Sequence, residues 1–346
     1  MAVFENSSFD HHEAVAFHAD AATRLRAIIA IHNTARGPSV GGCRMWPFGN
    51  EEEAVTDALR LSRGMSYKSA LAGLPFGGGK SVIIGDPSTD KSEALWRAMG
   101  RFVESLGGRY IIAEDVGTSP ADMEIVRQET THVAGIAEGG SGDPSPATAW
   151  DVFVGIKAAV HAKLGRDDLK GIGVAVQGLG HVGYELCRML AAAGVVLYVA
   201  DLDRTQLAKA GKEFGATIVD PNAVYDLDVD VFAPCALGAV INDDTIPRLR
   251  ASIVAGSANN QLAEPRHGVA LTKAGILYAP DYAINAGGII NIANEGPDYN
   301  REQAFGQVAR IYDTLLEIFA RAESDGVATD VAADQIAAQR LKSNDV

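Results

Sequence analysis

Two lysines and one acid in the first half of the chain stand in settings that suit acid–base chemistry. Lys68 lies in Met65-Ser-Tyr-Lys-Ser-Ala, Lys80 ends the run Gly77-Gly78-Gly79, and Asp115 follows the apolar stretch Tyr110 to Ala113. A lysine in water has a pKa of about 10.4 and is a poor base near neutrality. Partial burial and a second cation both help it shed its proton. Lys68 and Lys80 sit twelve residues apart among small and apolar residues, which offers that setting. A glycine-rich loop ending in lysine also suggests a phosphate cradle. The count is wrong for one: the residue five before Gly79 is Leu74, so the G-x-x-x-x-G-K-[ST] form is not kept. For either lysine alone, a surface lysine after a flexible turn is the plainer alternative. Gly41-Gly42-x-Arg44-Met45 is a further feature of this half.

The second half holds a complete βαβ unit from Gly171 to Asp201. Ile172 to Gln177 reads as a buried strand. Gly178-Leu179-Gly180-His181-Val182-Gly183 follows at once as G-x-G-x-x-G, and Tyr184 to Ala193 has helical spacing, with Leu186, Met189 and Leu190 on one face. Val195 to Ala200 is a second strand and ends in Asp201, 23 residues after Gly178. Gly178 permits a tight turn, Gly180 lets backbone approach a pyrophosphate, and Gly183 allows close helix–strand packing. The helix N-terminus offers free N–H groups to phosphate. Asp201 stands where an acid accepts hydrogen bonds from the adenosine ribose and repels a 2′-phosphate, which favours NAD over NADP. Arg204 nearby is the feature that would suit NADP. A tight βα turn that binds nothing is the alternative for the glycines alone.

These groups need a scaffold, and 346 residues suggest about two domains. Hydrophobic residues make up 47% and charged residues 21%, enough for a true core. The formal net charge of −14 argues against nucleic acid and anionic membrane as partners. Three scattered cysteines imply a reducing compartment without disulfides, and no Cys/His cluster has zinc-ligand spacing, so no metal is expected. His11, His12 and His18 read as surface residues. The polar, acidic N-terminus is unlike a signal peptide, and no apolar run is long enough to span a bilayer. A soluble cytoplasmic protein is expected.

The local patterns predict a helix over Phe9 to His18, a strand over Arg24 to His32, and a turn-rich loop over Asn33 to Gly42. A helix capped by Asn50 runs on through Ala72, with Ala54, Ala58 and Leu61 lining one face. Gly73 to Lys80 reads as a loop before a strand at Ser81 to Ile84. Helices follow at Lys91 to Leu106 and from Thr118. Gly135 to Pro146, rich in Gly, Ser and Pro, is placed as the hinge. The expected division is a substrate domain over 1–140, a dinucleotide-binding domain over 141–324, and C-terminal helices over 325–346 packing back on the first. The expected class is α/β, with a Rossmann-type domain and a cleft between the two domains.

GGCRMW, GMSYKSALAGLPFGGGKSVIIGDP, AEDVGTSPADM, APCALGAVIN, GSANNQL and APDYAINAGGIIN, together with the βαβ core, cover nearly the whole chain in order. With them the sequence resembles the glutamate/leucine/phenylalanine/valine amino-acid dehydrogenase family, nearest its leucine dehydrogenase branch. The resemblance implies NAD-dependent, reversible oxidative deamination of an L-amino acid to its 2-oxo acid and ammonia. It assigns Lys68 to the substrate carboxylate, with Gly41, Gly42 and Met65 beside it. It assigns Lys80 as the catalytic base and Asp115 as the acid that handles protons on the substrate nitrogen. Asn259 lies near the nicotinamide and the substrate amine, with Ala258 and Asn260 in the same loop. Thr148, Ala236, Leu237 and Asn285 are further cofactor contacts, beside Gly178 to Gly183 and Asp201. Val40, Ile289 and Ile292 match the side-chain pocket. All three are apolar, which disfavours the distal carboxylate of glutamate and favours leucine, valine or isoleucine. A sister enzyme for phenylalanine or other aromatic amino acids is the alternative, and a non-catalytic NAD-binding sensor the alternative of another class. The family implies a homo-oligomer. The C-terminal tail is shorter than is usual for it.

Overall fold

The computed structural model describes residues 3–135, 143–296 and 298–342. They group into two compact units. The first comprises Met1–Asp143, Ile292–Tyr299 and Ala337–Val346; the second comprises Pro144–Asn291 and Asn300–Ile336. Most of the expected hinge, residues 136–142, lies outside the described residues. Among the described residues no helix is long and apolar enough to cross a membrane.

The first unit is built on a five-stranded mixed sheet. Its strands are β1 (Ala14–Asp20), β2 (Leu25–Asn33), β3 (Ser39–Trp46), β4 (Gly77–Ile84) and β5 (Tyr110–Glu114), in the order β1-β2-β4-β3-β5. Helix α1 (Glu51–Leu71) joins β3 to β4, α2 (Glu93–Glu104) joins β4 to β5, and α3 (Pro120–Val126) follows β5. Alternation along the strands feeds two cores. Ile29 and Ile31 of β2 and Ile83 of β4 pack with Trp96, Met99 and Phe102 of α2. Ile28 and Ala30 of β2 and Val82 of β4 pack with Val55, Ala58 and Leu59 of α1. Asn50 caps α1 by accepting from the Glu53 N–H, and the three glutamates of the first turn favour its positive end. Leu61 is only half-buried; the inward stripe is instead Ala54, Val55, Ala58, Leu59 and Ser62.

Three local expectations fail here, each for a non-local reason. Phe9 to His18 is not a helix. Ala14 onward forms β1, paired antiparallel with β2 from Ala14↔Ile31 to Asp20↔Leu25. The loop expected to Gly42 gives way at Ser39 to β3, which lies parallel between β4 and β5. Gly77 to Lys80 is no loop but the first half of β4, the middle strand of the sheet. Its glycines answer crowding rather than flexibility. A Cβ on Gly77 would lie 1.9 Å from the Asn33 carbonyl oxygen, on Gly78 2.0 Å from the Ser66 nitrogen, and on Gly79 2.7 Å from the Tyr110 ring.

The C-terminal segment completes this unit. Arg340 donates from Nη1 to the Leu71 carbonyl at 2.7 Å, at the open end of α1, and Arg36 donates to the Arg340 carbonyl at 3.1 Å.

The second unit is a doubly wound parallel sheet. It opens with α4 (Ser145–Leu164), then β6 (Gly173–Gln177), α5 (His181–Ala192), β7 (Val196–Ala200), α6 (Arg204–Phe214), β8 (Thr217–Ile218), β9 (Val231–Pro234), β10 (Ile253–Val254), α7 (Arg266–Lys273) and β11 (Leu277–Tyr278). The helices α8 (Asp281–Ile284), α9 (Gly287–Ala293), α10 (Arg301–Val308), α11 (Ile311–Asp325) and α12 (Thr329–Lys342) close the chain. All the strand pairs are parallel, in the order β11-β10-β9-β6-β7-β8. Read from β8, that is the Rossmann order 3-2-1-4-5-6, whose reversal falls between β6 and β9.

Candidate active site

Lys80 and Asp115 meet across a strand that belongs to neither. Lys80 lies on β4, Asp115 just beyond β5, and β3 runs between them. The pairings Val40↔Gly78 and Cys43↔Ser81 put Gly42 beside Lys80 in register. A Cβ on Gly42 would come within 2.7 Å of the Asp115 Cβ and 2.6 Å of the Glu114 carbonyl. The bare backbone at 42 thus leaves the room in which the ammonium and the carboxylate join. Lys80 Nζ donates to Asp115 Oδ2 at 2.8 Å, with only 6% of the lysine side chain exposed. Gly78 and Val82, on the same face of β4, pack against α1, so Lys80 rises on the α1 side of the sheet.

Two further groups fix the acid. Arg44 of β3, two residues beyond Gly42, donates from Nε to Asp115 Oδ2 at 3.0 Å and from Nη1 to Asp57 Oδ2 of α1 at 3.0 Å. The Asp115 N–H donates to Thr118 Oγ1 at 2.8 Å. Burial pushes the Asp115 carboxyl up, but the Lys80 ammonium and the Arg44 guanidinium outweigh burial and hold it below the ordinary carboxylate range. The result is a water-poor corner holding a fixed anion between two cations, and it suits proton handling. Lys68 and Met65 are half-buried on α1, beside Ser66, whose nitrogen touches Gly78. Val40 is 2% exposed on β3. Ile292 packs with this first unit, whereas Ile289, 7% exposed, packs with the second.

The second unit gathers its own set at the C-terminal ends of the strands. Gly178 has φ +103°, a conformation that favours glycine. A Cβ on Gly183 would lie 2.0 Å from the Gly178 carbonyl, so the first turn of α5 sits close against the strand. Beside Gly180 nothing described lies within 4 Å of where a Cβ would be. Among the described residues no side chain caps α5, which leaves its first N–H groups to this open space. His181 is exposed and Val182 half-exposed; Leu179 is buried. The Asp201 carboxylate follows β7, accepts the Leu179 N–H and ties the glycine turn to the second strand. Ala236 adjoins Gly178, and Leu237, 78% exposed, extends from the same loop.

The Asn259–Asn260 loop is held from below. Asn285 donates from Nδ2 to the Ser257 carbonyl at 3.0 Å and to Asn259 Oδ1 at 2.8 Å. Asn260, at φ +52°, donates its N–H to the buried Asp281 carboxylate, while Ala258 is itself buried. Gly287 lets α9 approach α4, where a Cβ would meet the Ala147 carbonyl at 2.3 Å; Thr148 lies on the same turn of α4, next to Gly288. A dinucleotide fits what is here: an uncapped helix start, an open glycine backbone and a strand-end acid.

Residue types alone missed Arg44 and Asp57 as partners of the acid. Arg44 stood in the Gly41-Gly42 motif, but its partners lie 71 and 13 residues away. The expectation for His12 also fails. It is buried, with Nε2 3.1 Å from the Leu59 carbonyl, and its ring meets that of His32 edge-on at 4.9 Å. His32 Nδ1 lies 2.8 Å from Ser66 Oγ, and burial, with help from His12, pushes the His32 imidazole down to about 4. Asp243, Glu264 and His267 offer ligand atoms within 4.8 Å of one another, but Arg266 already pairs with both carboxylates at 2.5 and 2.9 Å.

A chain with one Rossmann-type unit and one unit carrying a buried lysine–aspartate pair has the parts of an α/β oxidoreductase. Residues 9–132 match the dimerisation domain of the Glu/Leu/Phe/Val dehydrogenases, and residues 139–298 match the glutamate/leucine/phenylalanine/valine dehydrogenase domain. The chain is 54% identical to the leucine dehydrogenase of Geobacillus stearothermophilus, over 99% of its own length and 94% of that relative. It is 49% identical to a phenylalanine dehydrogenase of Bacillus thermotolerans, over 99% of its length and 91% of that relative. The crystal structure of the L-tryptophan dehydrogenase from Nostoc punctiforme superposes with a TM-score of 0.87 at 50% identity, covering 96% of each chain. The protein belongs to the glutamate/leucine/phenylalanine/valine dehydrogenase family. It is an amino-acid dehydrogenase, an oxidoreductase acting on CH–NH2 donors.

Proposed function

We propose that the protein catalyses NAD-dependent, reversible oxidative deamination of branched-chain L-amino acids, leucine, valine and isoleucine, as a homo-oligomeric cytoplasmic enzyme. The observation that carries the reading is the buried Lys80–Asp115 pair, in a chain over half identical to a leucine dehydrogenase. NAD, when bound, takes up the hydride released from the substrate Cα. Gly178 to Gly183 and the start of α5 would hold its pyrophosphate, and Asp201 its ribose. Ala236, Leu237, Ala258 to Asn260, Asn285 and Thr148 complete that set.

The first unit acts on the amino acid. Lys68 binds the substrate carboxylate, with the bare backbones of Gly41 and Gly42 admitting it and Met65 beside it. Lys80 Nζ takes the proton from the water that adds to the imine carbon. Asp115 Oδ2, fixed beside that nitrogen, moves protons to and from the substrate nitrogen, and ammonia leaves. Val40 and Ile292 of this unit receive the aliphatic side chain. No cation among them would pair a distal carboxylate, and an unpaired buried charge is costly.

The test is NADH absorbance across a panel of L-amino acids, with the Lys80→Ala variant beside the parent. Turnover with leucine, valine and isoleucine is expected. Lys80→Ala is expected to lose at least 10³-fold in kcat while NADH still binds and quenches protein fluorescence. Absence of turnover with any amino acid, a preference for phenylalanine or tryptophan, or a fully active Lys80→Ala each overturns a stated part of this reading.

A further inference from the structure

We propose that Arg44 is a positioning residue for the reaction: anchored by Asp57, it holds the Asp115 carboxylate in place and ionised while the lysine beside it passes its proton back and forth. This rests on the reading of Lys80 and Asp115 just given.

The argument begins with a single oxygen. Asp115 Oδ2 accepts both Lys80 Nζ, at 2.8 Å, and Arg44 Nε, at 3.0 Å. When Lys80 is neutral, as a base must be before it acts, one of the two cations at that oxygen is gone. The acid then sits in a mostly buried site that by itself favours the protonated form. A guanidinium cannot give up its proton at any working pH. Arg44 therefore supplies a charge that stays constant through the proton cycle. Its other nitrogen is tied 3.0 Å away to Asp57 on α1, so the fork cannot swing off the acid. Arg44 and Asp57 are about a quarter exposed and face an open groove of about 510 Å³, which Glu52, Glu53 and Arg60 also line and which runs past Trp46 and Val116. Solvent and small solutes reach the guanidinium from that side.

Three variants test it by the pH dependence of kcat/KM for L-leucine. Arg44→Gln is expected to move the acidic limb upward by at least one pH unit, because without that cation the coupled lysine–carboxyl pair holds its proton to a higher pH. Arg44→Lys, which keeps the charge without the fork, is expected to restore much of that shift. Arg44→Ala opens space towards the groove, and low-millimolar guanidinium, far below denaturing levels, is expected to raise its activity at least fivefold, with sodium chloride as the control. A residue that merely braced the fold would lower kcat at every pH, and neither lysine nor added guanidinium would move the limb. An unshifted limb in Arg44→Gln, with Lys80→Ala inactive as above, overturns this inference alone. An active Lys80→Ala removes the reading beneath it.

Discussion

At Gly78 the strand carrying Lys80 packs directly against the helix carrying Lys68 and Asp57, and Gly78→Ala probes that fit. The added Cβ would lie 2.0 Å from the Ser66 nitrogen, 2.3 Å from Ser66 Oγ and 2.5 Å from the Ser62 carbonyl, where ordinary contact begins at 3.4 Å. The obstacle is helix backbone and cannot rotate away. Either α1 or β4 must withdraw by about 1.4 Å, and overpacking of this kind costs about 1–3 kcal/mol. A displacement of about 1 Å between groups that must act together costs on the order of 100-fold in rate. The assay is kcat and KM for L-leucine, with circular dichroism and thermal melting alongside. The expected result is a folded protein, melting a few degrees lower, with kcat/KM down about 100-fold. Gly64→Ala is the control: it lies on the same helix with nothing described within 4 Å of its Cβ. There alanine is expected to stabilise by up to about 1 kcal/mol and leave turnover unchanged. Kinetic constants within twofold of the parent in Gly78→Ala, or equal damage from Gly64→Ala, would refute the reasoning.

Two other outcomes follow from the charges. The folded protein holds His32 neutral down to about 4, whereas an unfolded chain protonates it near 6.5. Between these values the unfolded state binds more protons, so stability falls as pH falls through that window. The full shift is on the order of 3 kcal/mol, and urea melts at pH 7 and pH 5 should show His32→Gln losing less stability on acidification than the parent; equal losses would contradict the role given to burial. Asp201→Asn is expected to keep the bond from the Leu179 N–H but remove the charge, raising KM for NAD about tenfold and improving use of NADP, both measured by steady-state kinetics; an unchanged preference would show that the acid plays no part in coenzyme choice.

How far the sequence speaks depends on the distance over which a residue finds its reason. The βαβ unit was legible because each glycine of Gly178 to Gly183 answers a demand set within a few residues: a turn, an open backbone, the first turn of a helix. Asn50 likewise declares a helix start that its own neighbours complete. The run Gly77 to Lys80 carries the same residue type for a different cause, the nearness of Asn33, Ser66 and Tyr110, and nothing inside the run reveals those contacts. Phe9 to His18 has enough apolar residues for a helix, but pairing with β2 decides its state. Lys80 and Asp115 were legible through the resemblance. Arg44 was not, because its importance lies in two carboxylates that only the crossing of β3 brings to it.

The bond from Arg340 to the end of α1 has a bearing on how the chain is put together. The Leu71 carbonyl receives a donor that lies 269 residues further along the chain. The first unit therefore draws on chain from both sides of the second, since residues 292–299 and 337–346 belong to it as well as 1–143.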